Sequence, residues 1–217
     1  MKNNSENFKH DKKNNPIDLL KRFWNFIWNG ESFLSWITFL VIIFIFIKFI
    51  FFPSISYIMG TSLPIVIVES CSMYHGSDFD DWWNSNGNWY KDKGIEKDAF
   101  QSYTLINGFS KGDIFIVRGI KEENVKIGDV IIFAGGDSRR PIIHRVVNKE
   151  PIQTKGDNNK GQFTLSNNNA GINELDIKGE QIIGKATFIK IPFIGWLKLI
   201  FYEPLRPENE RGFCKAS

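Results

Sequence analysis

The longest apolar run of the chain extends from Phe33 to Phe52 and contains a single charge, Lys48, near its end. A helix of these 20 residues is about as long as the ~30 Å hydrocarbon core of a bilayer is thick. The run is longer than the ~7–15 apolar residues of a cleavable signal peptide, and no clear A-x-A site follows it. The pattern therefore predicts one transmembrane helix over residues 33–52.

The charges on either side of this run predict its orientation. Six basic residues precede it, and the first that follows it is Lys91. Because basic residues favour the cytoplasmic side, the N-terminus is expected in the cytoplasm and everything after Pro53 outside. We thus predict a single-pass protein of the cell membrane, in contact with lipid. Residues 1–32 form a cytoplasmic tail, with a short amphipathic helix over 17–30.

After the apolar run the pattern changes to short β-branched and aromatic runs separated by turn residues, which is typical of strands. Such runs cover residues 63–70, 113–119, 129–135, 141–150, 152–156 and 180–191. Residues 74–111 are instead rich in Asp, Asn, Gly and Trp, with a weak helical pattern over 95–103. The Asn-rich residues 158–173 are expected to form a surface loop. The fold class predicted is mainly β: a small all-β domain over 53–192, a partly helical insertion over 74–111, and one N-terminal membrane anchor.

The C-terminal part, residues 193–217, begins with a second apolar run, FIGWLKLIFY (193–202), and ends in a polar tail. The run is short for a membrane span, and Pro192 and Lys198 interrupt it. Two interpretations are open, a second span or a segment resting on the outer leaflet. The length favours the interfacial segment.

Composition and charge exclude several functions. A net charge of +3, without a basic run interleaved with aromatic residues, gives no reason to expect nucleic-acid binding. The two cysteines, Cys71 and Cys214, are far apart and have no metal-type spacing. They could pair only if the tail returned to Cys71, so no disulfide is expected. No metal or organic cofactor is expected either.

The chain has three histidines that could serve as the base in hydrolytic chemistry. His10 lies in the predicted cytoplasmic tail and His75 in a loop, whereas His144 lies in the apolar strand run PIIHRVV. Asp157 follows in TKGDNN, at a distance that allows a hairpin to return it to His144. A histidine and a carboxylate are the groups that activate a serine nucleophile. A hydrogen-bonded core histidine and a simple GDNN turn remain alternatives at this point.

Three short motifs resemble those of one enzyme family. ESCSMYH (69–75) contains Ser-x-Ser-Met at the end of a strand run, HRV begins at His144, and TKGDNN spans 154–159. In this order, behind one N-terminal span and before IIGKA (182–186), they resemble signal peptidase I. The likeness is to its archaeal and endoplasmic-reticulum branch, which uses histidine where bacterial enzymes use lysine. It covers about residues 33–200.

The resemblance implies a serine endopeptidase that removes signal peptides from exported preproteins at the outer membrane face. By this resemblance Ser72 is the nucleophile, His144 the general base and Asp157 its acidic partner. Ser70 matches the hydroxyl that helps to hold the oxyanion beside the Ser72 backbone N–H. Met73 is expected to pack beneath the nucleophile. Signal peptides are the expected substrates, and the resemblance leaves accessory membrane subunits open.

The sequence departs from the family pattern at three places. Cys71 stands where the family has glycine, and it would be strained if that position needs a positive φ. Phe163 stands where a second acidic residue is usual, so that Glu174 or Asp176 would have to supply the carboxylate; we expect Asp176. The insertion over 74–111 is longer than the family pattern suggests.

Two other functions are compatible with the sequence. One is a Cys71-dependent hydrolase of sortase-like type, although neighbouring side chains of an extended chain point to opposite faces. The other is a non-catalytic, membrane-tethered β-domain that binds secreted or surface partners. In that case the aromatic residues of the insertion, Trp82, Trp83, Trp89 and Tyr90, would form the interface.

Overall fold

The computed structural model describes residues 15–136, 140–168 and 171–215, apart from the Asn209 side chain. The first 14 residues of the predicted cytoplasmic tail lie outside these ranges. The chain divides into two compact units, Met1–Ser54 and Ile55–Ser217.

The first unit consists of helix α1, Pro16–Asn29, and most of a long apolar helix, α2, Phe33–Met59. Asn15 caps α1 by accepting a hydrogen bond from the Ile17 N–H, and Ser32 caps α2 in the same way from Ser35. A π-helical turn, Ile47–Phe51, interrupts α2. In the described part of the chain, α2 alone is long and apolar enough to cross a membrane. This helix agrees with the predicted N-terminal anchor.

The second unit is built on one six-stranded antiparallel sheet. Its strands are β1 Ile65–Ile67, β2 Ile114–Arg118, β3 Val130–Phe133, β4 Ile142–Lys149, β5 Ile152–Lys155 and β6 Ile182–Ile191. Their order across the sheet is β1-β2-β6-β3-β4-β5. Each predicted strand run contains one of these strands, and the predicted fold class, mainly β with a partly helical insertion, is confirmed.

Strand β3 lies between two hydrophobic cores. Val130 and Ile132 pack into a cluster with residues of β2 and β6, whereas Ile131 and Phe133 pack into a second cluster with residues of β4 and β5. Alternate side chains of a strand point to opposite faces, so the unbroken apolar sequence VIIF fits a strand that is buried on both sides. Strand β4, which carries His144, is held against this doubly buried strand.

The insertion forms helices α3, Phe79–Lys91, and α4, Lys97–Gln101. Their aromatic side chains pack into a third core, which also includes Val147 of β4. Trp82, Trp83 and Tyr90 are at most 4% exposed. These three side chains are therefore buried in the core of the insertion and cannot form the exposed interface of a binding domain.

The C-terminal apolar run contains one short helix, α5, Trp196–Leu199, which is far below the ~20 residues needed to cross a bilayer. Phe193, Leu197 and Phe201 in this segment are exposed. Short 3₁₀ turns complete the unit at Glu122–Asn124, Gly179–Gln181, Glu203–Leu205 and Glu208–Glu210.

Candidate active site

His144 is buried on β4, and its imidazole is bound by a carboxylate. Its Nδ1 lies 2.5 Å from Oε1 of Glu174, and both side chains are at most 3% exposed. The ring also stacks against Phe163, with 6.2 Å between ring centroids. A carboxylate at Nδ1 favours the tautomer that carries its proton there, which leaves Nε2 as the proton acceptor.

Glu174 is itself held rigidly by its neighbours. Its Oε1 also accepts from the Thr154 hydroxyl at 3.0 Å, and its Oε2 accepts from the Phe163 backbone N–H at 2.7 Å. Its backbone N–H and C=O are paired with Phe163 and with Thr154. A carboxylate with this many fixed donors can orient an imidazole without first reorganising.

Asp176, the carboxylate expected at this place, lies elsewhere. It is partly exposed and forms an ion pair with Lys178. The reason is the path of the chain beside β5. Glu174 lies opposite Thr154, whereas Ile177 bonds to Ile152 at the far end of that strand. Asp176 is thus carried away from the histidine, and Glu174 takes the position.

Asp157 is buried in a different network, and in the described structure its carboxylate makes no hydrogen bond to His144. Its carboxylate accepts from Arg145 Nε and Nη2 at 3.0 and 2.8 Å, from His75 Nε2 at 3.0 Å and from the Tyr90 hydroxyl at 2.8 Å. Burial alone would raise the pKa of the Asp157 carboxyl. The Arg145 guanidinium and the hydrogen bonds from His75 and Arg145 outweigh burial and hold this pKa well below its usual range. Asp157 therefore stays ionised at neutral pH, and these bonds anchor the KGDNN segment, residues 155–159.

A buried lysine supports the same segment. Burial lowers the pKa of the Lys155 ammonium to about 8, against the opposing effect of Asp157 and Glu174. Its Nζ donates to the Gly156 carbonyl at 3.0 Å and lies 5.0 Å from the ring centroids of Trp89 and Tyr90. These contacts turn the Lys155 ammonium toward the insertion. Lys155 is part of the TKGDNN motif, but nothing in the local sequence indicates that it is buried.

Ser72 lies in a turn after β1, next to the KGDNN segment. The Asn158 N–H donates to the Ser72 carbonyl at 2.7 Å, and the Asn158 side chain donates to the Cys71 carbonyl at 3.1 Å. Met73 is fully buried below the turn, and its sulfur accepts from the Asp157 N–H at 3.3 Å. The Ser72 hydroxyl lies 3.1 Å from the Ser70 hydroxyl.

The KGDNN segment also contacts the histidine. A Cβ at Gly156 would lie 2.8 Å from His144 Nε2, so that only glycine lets the imidazole approach the backbone this closely. The segment therefore contacts the Ser72 turn through Asn158 and His144 through Gly156. In the described structure the Ser72 hydroxyl bonds to Ser70 rather than to His144. Catalytic hydrogen bonds are often long before substrate binds.

Cys71 forms a disulfide with Cys214, with 5.5 Å between their Cα atoms. The expectation of unpaired cysteines is therefore wrong, because the C-terminal tail does return to the turn that contains Ser72. Leu105 and Phe193 are the described non-glycine residues with positive φ, so Cys71 keeps an ordinary backbone conformation. The disulfide also removes the thiol that a sortase-like hydrolase would need.

Metal ligands are not clustered at this site. Within the described ranges, no group of three or more His, Cys, Asp and Glu side chains could hold a metal ion. The chemistry that the arrangement can support is proton transfer between a hydroxyl and an imidazole that is oriented by a carboxylate.

Comparison with curated proteins finds catalytic subunits of the signal peptidase complex. SEC11 of Zygosaccharomyces rouxii is 37% identical over 67 residues, which are 28% of this chain and 40% of the relative. The subunits of Sclerotinia sclerotiorum and Fusarium vanettenii are each 29% identical over 115 residues, which are 47% of this chain and 61% of the relative. The chain thus spans about half the length of the curated relatives it matches. No family model matches the chain. The resemblance to the endoplasmic-reticulum type of signal peptidase is confirmed.

Proposed function

We propose that this chain is a membrane-bound serine endopeptidase of the signal peptidase I kind, with Ser72 as nucleophile, His144 as general base and Glu174 as the carboxylate that orients the base. One observation carries the proposal. The Nδ1 atom of His144 is bound by buried Glu174, and its Nε2 lies over the glycine of the segment that also binds Ser72.

The reaction follows from these contacts. Nε2 of His144 accepts the Ser72 proton as Oγ attacks the scissile carbonyl carbon, and Glu174 stabilises the imidazolium that forms. The Ser72 N–H and the Ser70 hydroxyl donate to the oxyanion, since the Ser70 hydroxyl is free to rotate away from Ser72. The imidazolium then protonates the leaving amine. Water then attacks the acyl-enzyme, with His144 taking its proton and returning it to Ser72 as the serine leaves.

Asp157 takes a supporting part in this mechanism. The family resemblance implied that it is the acidic partner of His144, but its carboxylate is fully engaged by Arg145, His75 and Tyr90. It fixes the backbone from Gly156 onward, against which the imidazole rests. We therefore assign Asp157 to positioning the segment and Glu174 to the histidine.

The substrates proposed are the signal peptides of exported preproteins, cut at the outer face of the cell membrane. Residues 33–52 would span the bilayer with the N-terminus in the cytoplasm, in agreement with the basic residues that precede them. The exposed side chains of Phe193, Leu197 and Phe201 would rest in the outer leaflet. Strand β1 pairs with β2 on one side only, and its other edge could accept an extended peptide.

The proposal is tested by cleavage of a peptide with an A-x-A signal sequence by the full chain in lipid vesicles. Ser72→Ala, His144→Ala and the double variant should each abolish cleavage, with the double no worse than either single. Ser77→Ala is the matched control, because Ser77 is exposed and, among the described residues, its hydroxyl bonds to the neighbouring Asp78 carbonyl. Cleavage by folded Ser72→Ala at the wild-type rate would refute the proposed nucleophile.

A further inference from the structure

The C-terminal tail is joined covalently to the nucleophile turn. Cys214 forms its disulfide with Cys71, the residue directly before Ser72, across a sequence separation of 143 residues. The Ser72 turn follows β1, which ends at Ile67. Between β1 and the turn, backbone hydrogen bonds join Val68 to Gly112 and Asp113. Other contacts must therefore fix the position of the Ser72 turn.

Arg206 of the tail supplies one such contact. Its Nη1 donates to the Glu69 backbone carbonyl at 3.0 Å, and its Nη2 donates to the Glu69 carboxylate at 2.8 Å. Arg206 is only 7% exposed although it lies near the end of the chain. A bidentate contact to backbone and side chain of one residue restrains both its place and its direction.

The tail is in turn anchored to the body of the unit by a buried lysine. Lys111 is 1% exposed, and its Nζ donates to the Glu203 carboxylate and to the Glu210 carbonyl, at 2.8 and 2.7 Å. Its backbone N–H points to the Cys214 sulfur at 3.4 Å. The next residue, Gly112, bonds to the Val68 carbonyl. The tail therefore connects the nucleophile turn to a fixed point of the core.

On its other side the Ser72 turn is held by the KGDNN segment. Asn158 donates to the carbonyls of both Cys71 and Ser72. Residues 69–72 thus lie between the tail and the KGDNN segment, with one set of contacts on each side. Just after the turn, the Met73 carbonyl accepts from the Phe109 N–H at 2.9 Å. Loss of the tail contacts would leave the Ser72 backbone held by Asn158 and by this bond of the next residue.

We propose that the tail segment Glu203–Cys214 is a redox-dependent strap that positions Ser72 for attack. This proposal rests on the proposed function, since it assigns Ser72 the role of nucleophile. A dithiol reductant opens the strap. The two thiols of the reductant are oxidised to a disulfide. Cys71 and Cys214 each gain one electron and one proton and become free thiols. A protein disulfide of the extracytoplasmic space reverses the exchange and closes the strap.

The test compares the full chain in lipid vesicles in its oxidised state, after dithiothreitol, and as the Cys71→Ser/Cys214→Ser variant. The chain has two cysteines in all, so that the reductant has a single target. Reduction should lower kcat roughly tenfold with KM within about twofold. It should also speed hydrogen exchange of the Asn158 amide, while the Ile132 amide in the core stays protected. The double-serine variant should match the reduced enzyme with or without dithiothreitol.

Arg206 provides a second arm in which the disulfide stays intact. Arg206→Gln should lower kcat and speed Asn158 exchange in the oxidised enzyme, and Arg206→Lys should restore part of both. Lys215→Gln is the control, because Lys215 is an exposed tail residue beyond the disulfide. If mass spectrometry shows that the disulfide is reduced and kcat is unchanged, the strap proposal is wrong, even if the unfolding temperature falls. If the oxidised wild type cleaves no signal peptide, the proposed function fails, and the Asn158 exchange alone decides on the strap.

Discussion

Replacing Asp157 by Asn separates a supporting carboxylate from a catalytic one. The substitution is nearly isosteric, but it removes the charge that faces the Arg145 guanidinium inside the protein. Arg145 is fully buried and donates to Asp157 through both Nε and Nη2. Removing one partner of a buried ion pair costs ~3–5 kcal/mol, because the other charge is left uncompensated. His75 and Tyr90 lose part of their bonding at the same time.

The expected result is a large loss of stability with a modest loss of activity. For a domain of this size each kcal/mol lowers the unfolding temperature by ~2–4 °C, so that Asp157→Asn should unfold roughly 6–20 °C lower. Well below that temperature, kcat should fall by less than about tenfold. Glu174→Gln should give the reverse pattern, with kcat lowered by about 10²–10⁴-fold, since the histidine loses the charge that stabilises its protonated form. Asp176→Asn, at a surface ion pair, is the matched control and should change neither.

The pH dependence of stability gives an independent check. The folded-state pKa of Asp157 is depressed, so its stabilisation is present above the unfolded value of ~3.9 and is lost as pH falls below it. The stability gap between wild type and Asp157→Asn should therefore narrow in acid below about pH 4. Thermal unfolding followed by tryptophan fluorescence, with peptide cleavage measured at low temperature, supplies both readouts. A loss of kcat beyond 10²-fold in Asp157→Asn at unchanged unfolding temperature, with Glu174→Gln fully active, would refute this division of roles.

Three further outcomes are expected. Gly156→Ala should lower kcat about 10–100-fold, because the new Cβ would crowd both the Asn159 amide and the His144 ring; wild-type kinetics would show that both side chains can move without cost. Ser70→Ala should lower kcat by about 10²–10³-fold at similar KM if its hydroxyl holds the oxyanion, and a change confined to KM would argue against that role. Phe201→Lys should reduce cleavage in vesicles but not in detergent, whereas Leu165→Lys, at another exposed apolar residue, should affect neither. Equal loss in detergent would point to folding rather than to the membrane.

The strands were predictable because their signals are local. Runs such as VIIF in β3 and IIHRVV in β4 are rich in β-branched residues and bounded by turn residues, and both form strands of the sheet. The helical pattern expected over 95–103 contains α4, whereas α3 was not predicted, since its sequence FDDWWNSNGNWYK mixes helix-unfavourable residues with aromatics. Packing of those aromatics in their own core, rather than propensity, stabilises it.

In the candidate site, only the residues that lie in short sequence motifs were predictable. His144 and Ser72 could be selected from short motifs, whereas Glu174 is 30 residues from the histidine and lies in no motif. Its choice over Asp176 depends on how the chain runs beside β5, which local pattern does not encode. The Cys71–Cys214 pair likewise depends on the path of the whole tail. Contacts that are set by long-range chain path, rather than by neighbours in sequence, were the ones that escaped prediction.

The bonds around Glu174 also decide what the Asn-rich loop is free to do. Glu174 donates its N–H to the Phe163 carbonyl and accepts the Phe163 N–H on its side chain, so the two residues close the base of the loop between them. A closed base makes the position of the carboxylate independent of what lies between residues 163 and 174, because lengthening a closed loop costs little free energy. Insertions and deletions can therefore accumulate there without moving the carboxylate. The number of residues between GDNN and the carboxylate is thus free to drift while the geometry at the histidine stays the same.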